Sequence, residues 1–316
     1  MSRVLLAGGS GFIGQALLER LKADPTFSVV ALSRQAPVVG HERLEWKQGD
    51  LFSLKDITEA MRGCDQVVYL VHSMLPSASL VQGTFYDMDL ILADNFARAA
   101  KALGVQHILY LGGLLPDKGI KLSWHLKSRL EVEKCLQGAA AQVTVLRAGM
   151  VLGRGGSSFA IMRRLVQRLP VMFCPSWTST RSQPIDLNDL MKVMMAVLKE
   201  DELKGQVWDV GGPHVMTYLE MMKVTARAMK KKPLMVPVGA FSPNFSRFWV
   251  TLVTGAPRAL VYPLVLSLRH AMIVSKDKMF PRQELMQTSF EASLSHWASL
   301  SAVSYTHLTL PTKRIV

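Results

Sequence analysis

The stretch VLLAGGSGFIG, residues 4–14, leaves this chain little choice of fold. A short apolar run stops at a turn containing Gly8, Gly11 and Gly14, and a helical pattern, FIGQALLERLKA, begins at once. The G-x-x-G-x-x-G spacing suits a turn whose backbone angles a side chain would hinder. It also suits close approach of a pyrophosphate to the backbone, and the helix N-terminus favours the negative charge. Gly8, Ser10, Gly11, Phe12, Ile13 and Gly14 are therefore candidate cofactor-binding residues.

A second β run, SVVALSR, ends at Ser33 and Arg34, about 20 residues beyond the loop, where such folds read the cofactor's ribose. A carboxylate there would hold a 2′-hydroxyl, whereas a guanidinium can take a 2′-phosphate with paired hydrogen bonds. Ser33 and Arg34 thus favour NADP(H). NAD(H) is the alternative, with Arg34 then a solvated loop residue.

Downstream, LEWKQGD, QVVYLV, HILYLGG and VTVLRAG read as further strands, separated by helical stretches in LKDITEAMRG, LILADNFARAAKALG and LSWHLKSRLEVE. Strands alternating with helices predict an α/β, Rossmann-type, doubly wound parallel sheet. After about Val151 the alternation weakens, which predicts a smaller C-terminal substrate lobe. The expected division is a dinucleotide-binding domain over 1–150, with 184–212 returning to it, and a substrate lobe over 151–183 and 213–300. The final SYTHLTLPTKRIV breaks the texture of what precedes it. Residues 304–316 read as a non-native tail, outside the fold.

Composition narrows the function classes. The 316 residues include three cysteines, Cys64, Cys135 and Cys174, in no ligand-like spacing, so neither a disulfide framework nor a metal site is expected. Reduced thiols and the lack of a leader pattern point to the cytoplasm. The net charge of +13 permits an anionic partner, yet no nucleic-acid module is present. Lys230, Lys231 and Lys232 suit a helix end before Pro233. Arg163, Arg164 and Arg168 read as a solvated helix face, with phosphate or lipid contact the alternative. Met191, Met194 and Met195 fall at helical spacing and predict core filling. Asp186 and Asp189 read as supports of a turn and a helix start, and His41 and His107 as ordinary surface or strand-edge residues. The apolar run from Phe248 to Val274 is interrupted by Arg258, Arg269 and prolines, too short to span a bilayer but open to lying on the inner face of a membrane.

The glycine spacing, the GDL at Gly49, Asp50 and Leu51, and the segment HLKSRLEVE together resemble the short-chain dehydrogenase/reductase superfamily, in its extended or atypical, epimerase/dehydratase-like branch. That resemblance implies that Asp50 and Leu51 flank the adenine and that Val71, His72 and Ser73 lie near the nicotinamide. VHSM, YLGGL and the late apolar segment also resemble a bacterial group known only as NAD(P)-binding proteins. The superfamily's active helix carries Tyr-x-x-x-Lys, two side chains one turn apart on one face, with a Ser or Thr after the fifth strand. Here Ser128 and Glu133 keep family-like positions, but His125 stands at the tyrosine position, Arg129 at the lysine position, and Gly112 and Gly113 where the Ser or Thr belongs.

Arg129 keeps the charge that holds ribose hydroxyls. An imidazole titrates near 6.5 rather than near 10, and a neighbouring arginine favours its neutral form, a base but a poor acid. Three readings of His125 stand: altered redox chemistry helped by His72 or Ser73, cofactor holding together with Arg129, or a structural hydrogen bond. The substrate lobe is rich in aromatics (Phe173, Trp177, Phe241, Phe245, Phe248, Trp249, Tyr262), most of them explained by core packing, with a lipophilic substrate pocket or a surface resting on a membrane the alternative. The expected function is an NADP(H)-binding oxidoreductase transferring hydride to or from a small apolar, quinone- or lipid-like molecule. The alternative is a non-catalytic NAD(P)-binding redox sensor of the NmrA type, or an assembly subunit of a respiratory complex.

Overall fold

A computed structural model describes residues 1–34, 41–72, 85–116, 119–120, 122–139, 142–238, 251, 253–255 and 268–299. The first of two strand–helix series runs β1 (Ser2–Ala7), α1 (Phe12–Ala23), β2 (Phe27–Ser33), β3 (Leu44–Gln48), α2 (Leu54–Met61), β4 (Gln66–Tyr69), α3 (Phe85–Leu103), β5 (His107–Gly113), α4 (Trp124–Gln137) and β6 (Gln142–Ala148). The second contains β7 (Val151–Leu152), α5 (Ser157–Arg168), β8 (Val171–Pro175), β9 (Arg181–Ser182), β10 (Ile185–Asp186), α6 (Leu187–Lys199), β11 (Val207–Val210), β12 (Met216–Thr217), α7 (Tyr218–Ala228), β13 (Leu234–Val238) and α8 (Phe290–Ser299).

The main sheet has seven strands in the order β11-β6-β5-β4-β1-β2-β3, and every pairing in it is parallel. The order reverses between β1 and β4, the switch point where doubly wound sheets open a crevice for ligands. The inner strands are largely apolar along both faces because both are covered, whereas the edge strand β3 is half-exposed. One face packs on α1 and α6 through Leu17, Leu21, Leu190 and Met194. The other packs on α2, α3 and α4 through Ile57, Phe96, Val132 and Leu136. Full burial of a leucine-sized side chain contributes about 1.5–3 kcal/mol, so these two layers supply most of the drive to fold.

A separate core forms where α5, α7 and α8 meet: Met162, Leu165, Met221, Met222, Phe290 and Leu294. Two-stranded pairings, β13 with β8 and β12 with β9, frame it. Among the described residues no helix is long and apolar enough to cross a membrane.

Several expectations are refined. Met191 and Met194 are core residues, and Asp186 caps α6 by accepting from the Asn188 amide. His107 is not a surface residue: it is 1% exposed, held between the Gln66 side chain and the Thr144 hydroxyl at 2.8 Å each. It begins a strand interior to the sheet, so burial was imposed by its neighbours on both sides. The arginines of α5 are not a freely solvated face either. Arg163 and Arg164 are half-buried, Arg164 donates to the Thr254 carbonyl, and Arg168 to the Val253 carbonyl. Phe173 is exposed rather than packed in a core or pocket. Phe241, Phe245, Phe248, Trp249, Tyr262 and the 304–316 segment lie outside the described residues.

Candidate functional site

The glycine loop closes on itself between β1 and α1. Gly8 adopts φ +92°, a conformation that favours glycine, and its carbonyl accepts from the Gly11 amide at 3.0 Å. A Cβ on Gly14 would lie 2.0 Å from that same carbonyl oxygen, and one on Gly8 would lie 3.0 Å from the Leu70 backbone. The loop therefore cannot widen, and only glycine fits. Gly11 caps α1 without any side-chain hydrogen bond, leaving the helix's first amides open to an anion. Ser10 and Gly11 are exposed, while Phe12 and Ile13 are half-buried. The Phe12 ring lies against Gly153 and Gly156, where added Cβ atoms would meet it at 2.9 and 3.2 Å.

The other candidate cofactor residues follow along the same C-terminal edge of the sheet. Ser33 ends β2, and Arg34 beside it is exposed, its carbonyl held by the Gln48 side chain. Asp50 and Leu51 follow β3. The Asp50 carboxylate accepts from the Phe52 amide, and Asn95 donates to the Leu51 carbonyl. Val71 and His72 follow β4 and are half-buried. Ser73 lies outside the described residues.

At the end of β4 the structure brings together three side chains from three elements. Nδ1 of His72 is 2.8 Å from Oδ2 of Asp89 on α3, and Nε2 of His72 is 3.3 Å from Nδ1 of His125 in the first turn of α4. Ser128, one turn along the same helix, donates to Oδ2 of Asp89 at 3.3 Å. Asp89 is 3% exposed. Sequence reasoning missed it, although a signal was present: Asp89 shares a helical face with Leu92 and Phe96, so an acid stood on a stripe that must be buried.

Burial is the largest influence on both imidazoles. It lowers the His125 pKa to about 3, with His72 and Arg129 adding to the effect and Asp89 opposing it. It also lowers that of His72, against the opposing effect of its hydrogen bond to the Asp89 carboxylate. Desolvation, more than the neighbouring arginine, is thus what keeps His125 neutral.

Arg129 folds back over the end of β5. Its guanidinium donates to the Leu111 carbonyl at 2.5 Å, and its Nε is buried with no acceptor among the described residues. A Cβ on Gly113 would touch Nε at 3.4 Å, so the arginine fills the space above the glycine where the family's Ser or Thr is absent.

His72, His125 and Arg129 form one wall of a cavity of about 270 Å³. Its remaining lining is mainly apolar: Leu114, Met150, Ile161, Met162, Leu165 and Met222 among others, with Trp177 from the turn after β8 and Tyr218 from the start of α7. Burial pushes the Tyr218 hydroxyl up to about 12, so it stays protonated at neutral pH. The cavity opens where β5 and β6 end, next to the switch-point crevice, an arrangement that can enclose a small apolar molecule beside a basic ring nitrogen.

Residues 8–164 match an NAD(P)H-binding family. The auxiliary protein GraX of Staphylococcus aureus is 32% identical over 111 residues, 35% of this chain, and the chain spans only about a third (36%) of that relative. A nucleoside-diphosphate-sugar epimerase from Staphylococcus aureus superposes with a TM-score of 0.72 at 17% identity, covering 93% of this chain and 99% of that one. An NADPH-dependent quinone oxidoreductase from Escherichia coli superposes with a TM-score of 0.70 at 20% identity, over 93% of this chain and 99% of that one.

Proposed function

We propose that this chain, whose residues 8–164 match an NAD(P)H-binding family and which resembles the epimerase/dehydratase-like branch of the short-chain dehydrogenase/reductase superfamily, is an NADP(H)-dependent oxidoreductase for a small apolar molecule. The observation that carries this reading is the apolar cavity with His125 in its wall. The fit of a dinucleotide is supported by the cradle at Gly8 and Gly14 that any Cβ would fill, and by the uncapped amides of α1.

In this reading Gly8, Ser10, Gly11, Phe12, Ile13 and Gly14 would hold the pyrophosphate, and Ser33 with Arg34 the 2′-phosphate. Asp50 and Leu51 would flank the adenine, and Val71, His72, Ser73 and Arg129 would serve the nicotinamide end. The nicotinamide, when bound, supplies or accepts a hydride. His125 then exchanges the accompanying proton at Nε2, the ring nitrogen not engaged by His72. It takes the proton from a substrate hydroxyl on oxidation and returns it to the oxygen on reduction. Arg129 supplies fixed positive charge, and the apolar walls exclude water, which strengthens every polar contact at the reacting oxygen. The cavity fits a quinone or comparable planar carbonyl compound better than a sugar nucleotide, whose hydroxyls would lose their hydrogen bonds against methionine and leucine.

The test is a fluorescence titration with NADPH and NADH followed by turnover assays on a panel of quinones and apolar carbonyl compounds. NADPH-dependent reduction, abolished by Ile161→Trp in the cavity with cofactor affinity retained, is the expected result. Cofactor binding without turnover, unaltered by His125→Ala, would transfer the chain to the non-catalytic sensor or assembly class.

A further inference from the structure

We propose that Asp89, His72 and His125 form a proton relay running from the cavity wall into the buried face of α3, with Asp89 and His72 acting as positioning residues for His125. The proposal rests on the reading of His125 as the proton-exchanging group. The rings of His72 and His125 lie with centroids 4.9 Å apart and planes at 50°, joined by the 3.3 Å contact between Nε2 and Nδ1. Asp89 anchors the inner end at 2.8 Å.

With Asp89 ionised, donor and acceptor capacities set the direction of each hydrogen bond in the relay. An ionised carboxylate only accepts, so Oδ2 takes the Ser128 hydroxyl hydrogen and the hydrogen of the 2.8 Å contact is assigned to His72 Nδ1. A neutral His72 carrying its hydrogen on Nδ1 has a bare Nε2, which can only accept. The hydrogen between the rings therefore belongs to His125 Nδ1, and His125 Nε2 is left bare, a base presented to the cavity. Free histidine in water prefers the opposite tautomer, so the arrangement is imposed by the buried carboxylate through His72.

A substrate O–H bond breaks and the proton joins His125 Nε2. The hydrogen on His125 Nδ1 passes to His72 Nε2. His125 ends neutral in its other tautomer, and His72 ends as an imidazolium held against the Asp89 carboxylate. Reduction runs the same path backwards and makes neutral His125 an effective donor. The charge settles on His72 because that ring touches Asp89, whereas Arg129 disfavours charge on both rings. Among the described residues, the charged and titratable groups facing the relay are Asp89 from α3, Arg129 from α4, and the phenols of Tyr69 and Tyr110 from β4 and β5, both held protonated by burial.

Nitrogen-15 NMR of the imidazoles in the full chain at neutral pH reads this directly and needs no substrate. His72 and His125 are both expected as Nδ1–H tautomers; an Nε2–H tautomer at His125 overturns the relay. His72→Phe removes the acceptor and is expected to return His125 to a predominantly Nε2–H form, while an unchanged tautomer would overturn it equally. With an active substrate, Asp89→Asn is expected to lower kcat about a hundredfold, the scale of a lost general acid–base contribution, and to leave KM for NADPH within about twofold. An unchanged kcat and pH profile would sink the relay while leaving the oxidoreductase reading intact. If no substrate turns over, the tautomers still decide the relay independently.

Discussion

Arg147 on β6 and Glu133 on α4 form a buried two-pronged ion pair, with Nη2 to Oε1 at 2.6 Å and Nε to Oε2 at 3.0 Å. Glu133 sits one turn beyond Arg129 and two turns beyond His125, so this pair pins the helix that carries both candidate site residues to the C-terminal end of β6. The side chains are 8% and 6% exposed, which makes the pair expensive to break from one side.

Glu133→Gln should therefore destabilise the chain by about 3–5 kcal/mol, the cost of leaving a guanidinium buried without its counter-charge. Urea denaturation measures this. Replacing both partners with apolar residues should cost less than the single change, and a single-variant loss below about 1 kcal/mol would show that the pair is screened by water.

Acidification should weaken the fold over a window set by histidine. Burial, followed by the charge of Lys204, lowers the His107 pKa to about 3, against about 6.5 in an unfolded chain. A base whose folded pKa is depressed binds protons more readily when unfolded. Its stabilising contribution is complete above about pH 6.5 and is lost as pH falls toward 3. His125, also lowered to about 3, acts in the same window with the same sign. Asp24, lowered to about 2 chiefly by its hydrogen bond with Lys199, adds a loss only below about pH 4. Asp209, raised by burial, acts with the opposite sign and is unaffected by changes at position 107. Denaturation midpoints should fall between pH 7 and pH 4.5, and His107→Asn should flatten that slope while lowering stability at pH 7.

Arg34→Glu tests the cofactor choice. A charge-assisted hydrogen bond to phosphate contributes about 1.5–3 kcal/mol, so NADPH affinity should fall roughly ten- to a hundredfold. NADH affinity should stay level or rise, since a carboxylate can take the 2′-hydroxyl. Nicotinamide fluorescence titration separates the two, and an equal loss for both cofactors would refute the assignment of Arg34 to the 2′-phosphate.

Gly14→Ala should abolish dinucleotide binding and lower the melting temperature, because the new Cβ would sit 2.0 Å from the Gly8 carbonyl oxygen. Gly138→Ala is the matched control. Gly138 has φ −76°, and its Cβ would meet nothing nearer than the Cys135 carbonyl at 3.5 Å, so both properties should persist.

Much of the architecture was legible in the sequence because its causes are local. Apolar strand runs alternating with helices specify a parallel sheet, and Gly8, Gly11 and Gly14 mark the loop by their spacing alone. The helix from Trp124 to Gln137 was recognisable by its frame, even with His125 and Arg129 in place of the usual pair. His107 was misread because its burial comes from the strands on either side, β4 and β6, and not from its own segment.

By itself, then, the sequence determined the fold, the glycine loop and the two altered positions on α4, all of which follow from short-range spacing and the periodicity of strand and helix. Only the tertiary structure decided what those positions meet. His72 lies 17 residues from Asp89 and 53 from His125, on separate elements, and the three converge only when β4, α3 and α4 pack at one end of the sheet. Whether an imidazole is a solvated weak base or a buried neutral one depends on the water removed from it and on the carboxylate behind it. Both are properties of the packed core rather than of the segment that carries the residue.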